Sequence, residues 1–111
     1  MKINIKKTFD STPALQTYIE QKLMPLAKFV KRYDDAGTAE IWLELSRTTQ
    51  HQKKGEVFFV AADLRLPHKI LRAEARATDV RKAIDEVRDI LRQEIEKYKA
   101  KFLEPRRERE R

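Results

Sequence analysis

The segment from Asp79 to Phe102 carries the clearest structural signal in the sequence. Its apolar residues recur every three or four positions, which is the period of a helix with one buried face. They are Val80, Ala83, Ile84, Val87, Leu91, Ile95, Tyr98 and Phe102. We therefore predict a long amphipathic helix whose apolar face covers a second layer of structure.

The basic residues of this predicted helix lie in a row beside the apolar stripe. At about 100° per residue, four of them fall within roughly 20° of one line. They are Arg81, Arg88, Arg92 and Lys99. Such cations can cover the stripe with their methylene stems, or pair with acidic neighbours one turn away, as Arg81 can with Asp85. They can also bind a series of phosphate groups.

A second helix is predicted from Thr12-Pro13 to about Tyr33. Thr12 is a favourable N-cap and Pro13 suits the first helical position, while Pro25 should bend this single helix near its middle. By the same angular step, three basic residues share one flank of its apolar stripe. They are Lys22, Lys28 and Arg32. Two helices on the same sheet face, each with a basic edge, would line one cationic groove.

Four segments are predicted to be strands: three alternate between apolar and polar residues, as half-buried strands do, and residues 57–66 are the run with the strongest strand preference. They are residues 2–6, 40–46, 57–66 and 70–77. Small alanines in the last segment predict that a helix packs closely on it, and the polar residues 48–55 predict a hairpin loop. The order β-α-β-β-β-α predicts an α+β fold, a two-layer sandwich in which two helices cover one face of a four-stranded mixed sheet.

The length of 111 residues fits a single domain, which we place at residues 1–103. Residues 104–111 combine Pro105 with mixed charges and no apolar side chain, so they are predicted to form a disordered charged tail. The sequence has no apolar run long enough to cross a bilayer, and its start lacks the apolar core of a signal peptide. These features predict a cytoplasmic protein.

The net charge of +7 indicates a polyanionic partner. An enzymatic role has little support, because the chain has no cysteine and two glycines, and His51 and His68 lack the spacing of a metal site. The helix carboxylates lie among arginines, where ion pairing explains them better than acid–base catalysis. We expect no cofactor, metal or small-molecule substrate. We also expect no membrane association, because the apolar helix face is needed to cover the sheet.

The uncovered face of the predicted sheet offers a different mode of binding. Trp42, Phe59 and Ile70 are predicted to point outward there, beside Arg72 and Arg76. Aromatic residues on an exposed sheet can stack on single-stranded bases, although outward aromatics also pack on their cross-strand neighbours. A single-stranded RNA-binding module and a protein-interaction regulator are therefore alternative functions.

Two groups of residues resemble the ribosome hibernation promoting factor family, also known as the ribosome-associated inhibitor or S30EA/sigma-54 modulation proteins. The first group comprises Lys2-Ile3-Asn4-Ile5, Thr12-Pro13-Ala14-Leu15, Tyr18-Ile19, Lys22-Leu23, Leu26 and Lys28. The second group comprises Asp79, Ala83-Ile84-Asp85 and Lys97-Tyr98-Lys99-Ala100-Lys101. The resemblance covers residues 1–103 and is to the short members of the family, which lack the second domain of the long members.

The resemblance implies that the chain binds the small ribosomal subunit and the 70S ribosome, in the channel where messenger and transfer RNA lie, and silences translation under stress. By position it favours five residues as contacts to phosphates of 16S rRNA. They are Lys22, Lys28, Lys97, Lys99 and Lys101. The chain departs from the family pattern at Arg81, where an aromatic residue is usual, and at Pro25, where a basic residue is usual. Either the row of cations on the long helix replaces these contacts, or the docking is altered.

Charge, pattern and resemblance together predict a non-enzymatic translation inhibitor that binds the ribosome through a groove between its helices. The predicted RNA-binding residues are Lys22, Lys28, Arg32, Arg81, Arg88, Arg92, Lys97, Lys99 and Lys101.

Overall fold

The structure, a computed structural model, describes residues 1–50 and 55–103 of the chain. Its strands are β1 (Lys2–Lys7), β2 (Glu40–Gln50), β3 (Gly55–Leu66) and β4 (Lys69–Ala77). They form one four-stranded sheet in the order β1-β2-β3-β4. β1 runs parallel to β2, and the two later pairs are antiparallel. The predicted mixed sheet and α+β two-layer sandwich are confirmed.

The hairpin between β2 and β3 is longer than predicted. Residues 48–50 were expected to belong to a loop, but Thr48 pairs with Val57 and Gln50 pairs with Gly55 in the antiparallel ladder. Backbone pairing with β3 therefore outweighs the polar character of these residues, since strand preference depends strongly on context. Residues 51–54 of the predicted loop and the predicted tail at 104–111 lie outside the described residues.

The single bent helix predicted around Pro25 is three segments. They are α1 (Pro13–Leu23), a 3₁₀ segment (Met24–Val30) and the short α2 (Lys31–Asp35). Thr12 caps α1 as predicted, because its Oγ1 accepts a hydrogen bond of 3.2 Å from the backbone N–H of Leu15. Pro25 has no N–H to donate and its ring crowds the carbonyl four residues earlier. The α-helix consequently ends before it, and the chain continues as a tighter helix.

Gly37 ends this helical region and redirects the chain into β2. Its φ of +72° lies in the left-handed region that glycine adopts at low cost. The N–H of Gly37 donates to the carbonyl of Asp34 at 2.9 Å, and the N–H of Thr38 donates to the carbonyl of Tyr33 at 2.8 Å. This pair of bonds is the Schellman motif, which satisfies carbonyls at the end of α2.

The long C-terminal helix, α3 (Val80–Tyr98), is followed by a wider π-helical turn (Lys99–Leu103). Asp79 caps α3, and its carboxylate accepts a hydrogen bond of 3.0 Å from the N–H of Arg81. The predicted apolar stripe is confirmed within the helix. Its fully buried members are Ala83, Ile84, Val87, Leu91 and Ile95.

The hydrophobic core lies between the sheet and one layer formed by α1, the 3₁₀ segment and α3. The helical layer contributes Leu15, Ile19, Leu23, Leu26 and Val30 from its first part, in addition to the buried residues of α3. Ala73 and Ala75 of β4 are buried in this core, in agreement with the predicted close packing of a helix on that strand.

No helix among the described residues combines the length and the apolar character needed to span a membrane. The opposite face of the sheet carries no helix of the described chain.

Candidate nucleic-acid interface

Cations from both parts of the helical layer meet along the line where α1 and the 3₁₀ segment lie beside α3. We call this line the seam. At one end of the seam, the guanidinium carbon of Arg81 lies 4.9 Å from the ring centre of Tyr18, and Nζ of Lys22 lies 5.4 Å from it. Cations this close to an aromatic ring are attracted to its electron-rich face. Tyr18 therefore holds one cation from each side of the seam.

Asp85 of α3 completes this end of the seam. Its Oδ1 accepts a hydrogen bond of 2.6 Å from the hydroxyl of Tyr18 and lies 3.6 Å from Nζ of Lys22. This hydrogen bond, with a smaller contribution from burial, raises the pKa of Tyr18 above its ordinary value of 10.0. The nearby charges of Arg81 and Arg88 oppose this rise in pKa. Asp85 thus balances part of the positive charge and ties α1 to α3.

Three cations surround Phe29 further along the seam. Nζ of Lys28 and the guanidinium carbon of Arg92 each lie 5.2 Å from the ring centre, and Nζ of Lys99 lies 5.9 Å from it. Arg32 lines the same shallow recess, which has a volume of about 230 Å³. The half-buried ring of Phe29 therefore gathers charge from the 3₁₀ segment and from α3, which are far apart in sequence.

Ion pairs on α3 neutralise part of the predicted row. Arg88 contacts Asp89 at 2.9 Å and keeps 36% of its side chain exposed, whereas Arg92 contacts Glu96 at 3.5 Å. The second contact is a pairing one helical turn apart, of the kind that the sequence predicted. Such pairs at an exposed surface are weak, so both arginines can exchange their carboxylates for phosphates.

The nine predicted RNA-binding residues divide into two groups in the structure. Seven belong to the seam: Lys22, Lys28, Arg32, Arg81, Arg88, Arg92 and Lys99. Lys97 and Lys101 instead border a recess of about 180 Å³ beside β4, where Lys69 joins them. Lys97 also pairs with Glu94 at 3.2 Å. The angular step of a helix already separates these two lysines from the row by roughly half a turn.

Sequence reasoning missed the part that Tyr18 and Phe29 play in the seam. Both residues lie in the first helical region, and no role in binding was predicted for either. The structure leaves each ring half-buried at the edge of the core, within reach of cations. A local signal was available for Tyr18, since Lys22 follows it by four residues and such pairs are neighbours on a helix.

The open face of the sheet has a different charge pattern. Trp42 is 43% exposed as predicted, and the guanidinium carbon of Arg65 lies 4.7 Å from its ring centre. Arg76 lies 5.5 Å from the ring of Phe59 in the same manner. Arg72 contacts both Asp63 and Glu74 at 2.8 Å, and these two bonds raise the pKa of its guanidinium. Of these three arginines, Arg72 is paired with carboxylates, whereas Arg65 and Arg76 lie beside aromatic rings.

The described residues contain no group of three or more histidine, cysteine, aspartate or glutamate side chains that could hold a metal ion. His68 lies exposed in the turn between β3 and β4, and His51 lies outside the described residues.

Known proteins resemble this chain in sequence and in fold. The sequence model of the family described as Sigma 54 modulation protein / S30EA ribosomal protein matches residues 3–102. A ribosome hibernation promotion factor from Deinococcus radiodurans is 26% identical over 102 residues, which cover 92% of this chain and 50% of that protein. The chain thus spans about half the length of this relative.

Two solved structures share the fold. A ribosomal subunit interface protein from Coxiella burnetii superposes with a TM-score of 0.70 at 23% identity, covering 90% of this chain and 99% of that one. The N-terminal domain of Protein Y from Thermus thermophilus superposes with a TM-score of 0.56 at 23% identity, covering 87% and 94%. At these identities the likeness supports the fold alone.

Proposed function

The chain belongs to the Sigma 54 modulation protein / S30EA ribosomal protein family, and from this membership we propose that it is a ribosome-associated translation inhibitor, a hibernation factor. It binds the small subunit, free or within the 70S ribosome, in the channel that messenger and transfer RNA occupy. Residues 1–103 act as the binding domain, and the protein works in the cytoplasm with the ribosomes. The name of the Deinococcus relative supports the hibernation role, and the seam supports the mode of binding.

The convergence of seven cations along the seam is the observation that carries this proposal. Tyr18 and Phe29 hold cations from both sides of the seam at 4.9–5.9 Å from their ring centres. Side chains that are already positioned lose less conformational freedom on binding. Contacts to rRNA phosphates would release condensed counterions, which supplies most of the affinity of basic proteins for nucleic acid.

Inhibition in this proposal requires no chemical step. A protein bound across the decoding channel prevents messenger and transfer RNA from entering, so its effect is competition for space. No metal or cofactor takes part, and no residue needs to act as an acid, a base or a nucleophile. Lys97 and Lys101, on the other flank of α3, would contact a separate segment of rRNA.

Charge reversal at the seam tests the proposal. In Arg88→Glu with Arg92→Glu, we expect the protein to remain at the top of a sucrose gradient, whereas the wild-type chain should co-migrate with small subunits and 70S particles at low salt. Reversal replaces attraction to phosphate with repulsion at two adjacent positions. Circular dichroism would verify that the variant is folded, as expected because Arg92 is exposed and Arg88 is partly exposed.

The matched control is Lys2→Glu with Lys6→Glu, which changes the net charge by the same amount on the exposed strand β1, away from the seam. This control should still co-migrate with ribosomes. Equal loss in both double variants would mean that total charge governs binding and would contradict a site at the seam. Messenger RNA with transfer RNA should also displace the wild-type protein. Undiminished co-migration in their presence would place the binding site outside the channel.

The open sheet face favours one other function, because the 43% exposed ring of Trp42 could stack on an unpaired base. A free single-stranded RNA-binding module would bind short oligonucleotides tightly and lose that binding in Trp42→Ala. The near balance of charge around Trp42 argues against it, since Glu40 accepts a hydrogen bond of 2.9 Å from the indole N–H and Asp63 lies opposite Trp42 in β3. We expect Trp42→Ala to bind ribosomes as the wild type does.

A further inference from the structure

The recess beside Phe29 concentrates positive charge in a small space. Lys28, Arg92 and Lys99 each place their charge within 6 Å of the same ring centre. Lys28 and Lys99 line this recess together with Lys31 and Arg32. Three cations, from the 3₁₀ segment, α3 and the π-helical turn, therefore meet at a single half-buried aromatic ring, and two more from α2 line the recess beside it.

Carboxylates balance only part of this charge. Lys31 is paired with Asp35 at 2.8 Å, and Arg92 is paired with Glu96 at 3.5 Å. Lys28, Arg32 and Lys99 have no carboxylate partner within residues 1–50 and 55–103. Like charges this close repel one another, and the attraction to the ring offsets the repulsion only in part. A bound anion would remove the repulsion, so the recess is preorganised for negative charge.

The arrangement of the cations indicates the kind of anion. A strand of nucleic acid carries one charge per nucleotide along an extended backbone, which matches a row of cations such as Arg81, Arg88 and Arg92. At Phe29, the last two cations of this row, Arg92 and Lys99, converge with Lys28 on one ring instead. A chain of directly linked phosphates carries several charges within the same short distance, and each phosphate offers several acceptor oxygens to lysine and arginine.

The volume of the recess restricts the ligand further. At about 230 Å³ it is smaller than the pockets of roughly 300–1,000 Å³ that enclose whole drug-sized molecules. It can hold a short chain of phosphates, while an attached nucleoside would remain largely in solvent. The ring of Phe29 is already covered by cations, so it positions charge and is not free to stack on a base.

We propose that the Phe29 recess binds a compact polyphosphate group, as carried by a nucleoside triphosphate or by inorganic polyphosphate. Lys28, Lys99 and Arg92 contact the phosphates, and Arg32 neutralises charge at the rim. Because Arg92 and Lys99 also belong to the seam, an occupied recess would remove two cations from RNA binding. This second consequence rests on the proposed ribosome function, whereas the binding site itself does not.

Calorimetric titration of the isolated chain tests the site without ribosomes. The probes are ATP, GTP, inorganic tripolyphosphate and AMP, each added at low salt. We expect the two triphosphates and tripolyphosphate to bind with affinities similar to one another and at least about tenfold tighter than AMP. If ATP and GTP bind tightly and tripolyphosphate does not, the ligand is a nucleotide. Affinities no better than that of AMP for all three would overturn the proposal.

Paired variants locate the binding. Lys28→Gln with Lys99→Gln should weaken tripolyphosphate binding at least about tenfold, because each lost cation removes charge-assisted hydrogen bonds. The control Lys2→Gln with Lys6→Gln removes the same charge from β1 and should bind as the wild type does. Phe29→Leu retains an apolar side chain but removes the ring that holds the cations, so it should bind more weakly than the wild type. Equal weakening in the recess and control variants would overturn a specific site.

Ribosome gradients repeated with tripolyphosphate test the competition separately. At a concentration that saturates the recess, we expect less wild-type protein to co-migrate than in sodium chloride of equal ionic strength. Unchanged co-migration would overturn the competitive role and leave the site itself intact. Failure of the ribosome proposal would appear in gradients without any polyphosphate, so the two failures are distinguishable.

Discussion

Tyr18 shows how much of the seam depends on a single side chain. Its ring holds Arg81 and Lys22, and its hydroxyl donates to Asp85 across the boundary between α1 and α3. Asp85 also lies 3.6 Å from Nζ of Lys22. One aromatic residue thus orders charges on two elements and joins those elements to each other.

A double-mutant cycle measures this link. Tyr18→Phe and Asp85→Asn should each lower the free energy of unfolding, and the coupling between them should be about 0.5–1.5 kcal/mol, which is typical of a hydrogen bond. The lower part of that range is expected because Asp85 is 38% exposed. Urea unfolding of the four proteins provides the values. A coupling of zero would show that water replaces the bond at no cost.

The difference in stability between wild type and Tyr18→Phe should depend on pH, because the pKa of Tyr18 is raised. The hydrogen bond to Asp85 raises this pKa in the folded state above the ordinary 10.0, so the folded chain holds the phenolic proton more tightly than the unfolded chain does. The hydrogen bond stabilises the fold fully at pH values below the ordinary pKa of 10.0. This stabilisation is lost as the pH rises through the raised pKa of the folded state. The difference in stability between wild type and Tyr18→Phe should therefore be constant near neutrality and shrink in alkaline solution.

At the level of elements, the contact between α3 and β4 depends on small residues. Ala73 and Ala75 lie buried beneath the helical layer, where Ala83, Ile84 and Val87 of α3 belong to the same core. Side chains this small allow a helix to approach the sheet closely. Because the interior is densely packed, a larger residue at Ala73 would push the two layers apart.

Ala73→Leu should consequently destabilise the protein by about 1–3 kcal/mol through overpacking. Chemical denaturation followed by circular dichroism measures the change. The control is Ala14→Leu, at an exposed position in the first turn of α1, which should change stability by less than about 0.5 kcal/mol. A neutral Ala73→Leu would mean that the layers have room to separate.

The regular elements were predictable because their patterns have one period throughout. α3 combines a clear 3.6-residue stripe with an Asp79 cap, and every second residue of the predicted strand segments is apolar. The region around Pro25 was predicted less well. Leu23, Leu26 and Phe29 recur every third residue, a spacing that suits a 3₁₀ helix as well as an α-helix, so the hydrophobic pattern could not locate the change between them.

The candidate site was predictable to the extent that it follows helix geometry. The angular step places Arg81, Arg88, Arg92 and Lys99 on one line. In the structure Arg81 lies beside Tyr18, and Arg92 and Lys99 lie beside Phe29. The convergence of Lys28 with Arg92 and Lys99 on Phe29 could not be predicted in this way. It depends on how two distant elements pack against each other, which helix periodicity does not specify.

At the level of the whole molecule, positive charge is distributed unevenly. The helical side carries the seam, with three cations around Phe29 alone, whereas Arg72 on the sheet face is paired with Asp63 and Glu74. Among the described residues, the seam therefore concentrates positive charge on the helical side. Such a field orients the molecule as it approaches a polyanion.

The salt dependence of ribosome binding should report this asymmetry. Each cation that contacts a phosphate contributes a slope of about one to the plot of log affinity against log salt concentration. Arg88→Gln with Arg92→Gln should reduce the slope by about two, while Lys2→Gln with Lys6→Gln should leave it unchanged. Binding of labelled protein to purified small subunits at several salt concentrations provides the slopes. A slope that is the same in all three proteins would contradict phosphate contacts at the seam.

The position of α3 in the chain also decides when folding can finish. All four strands precede α3, yet the layer that covers their apolar face is incomplete without its five buried residues. Synthesis delivers the N-terminal part of a chain first, and exposed apolar surface promotes aggregation. A nascent chain halted before Val80 would therefore present an uncovered sheet to its surroundings. A protein that we propose silences ribosomes therefore depends on a ribosome that continues elongation until α3 has emerged.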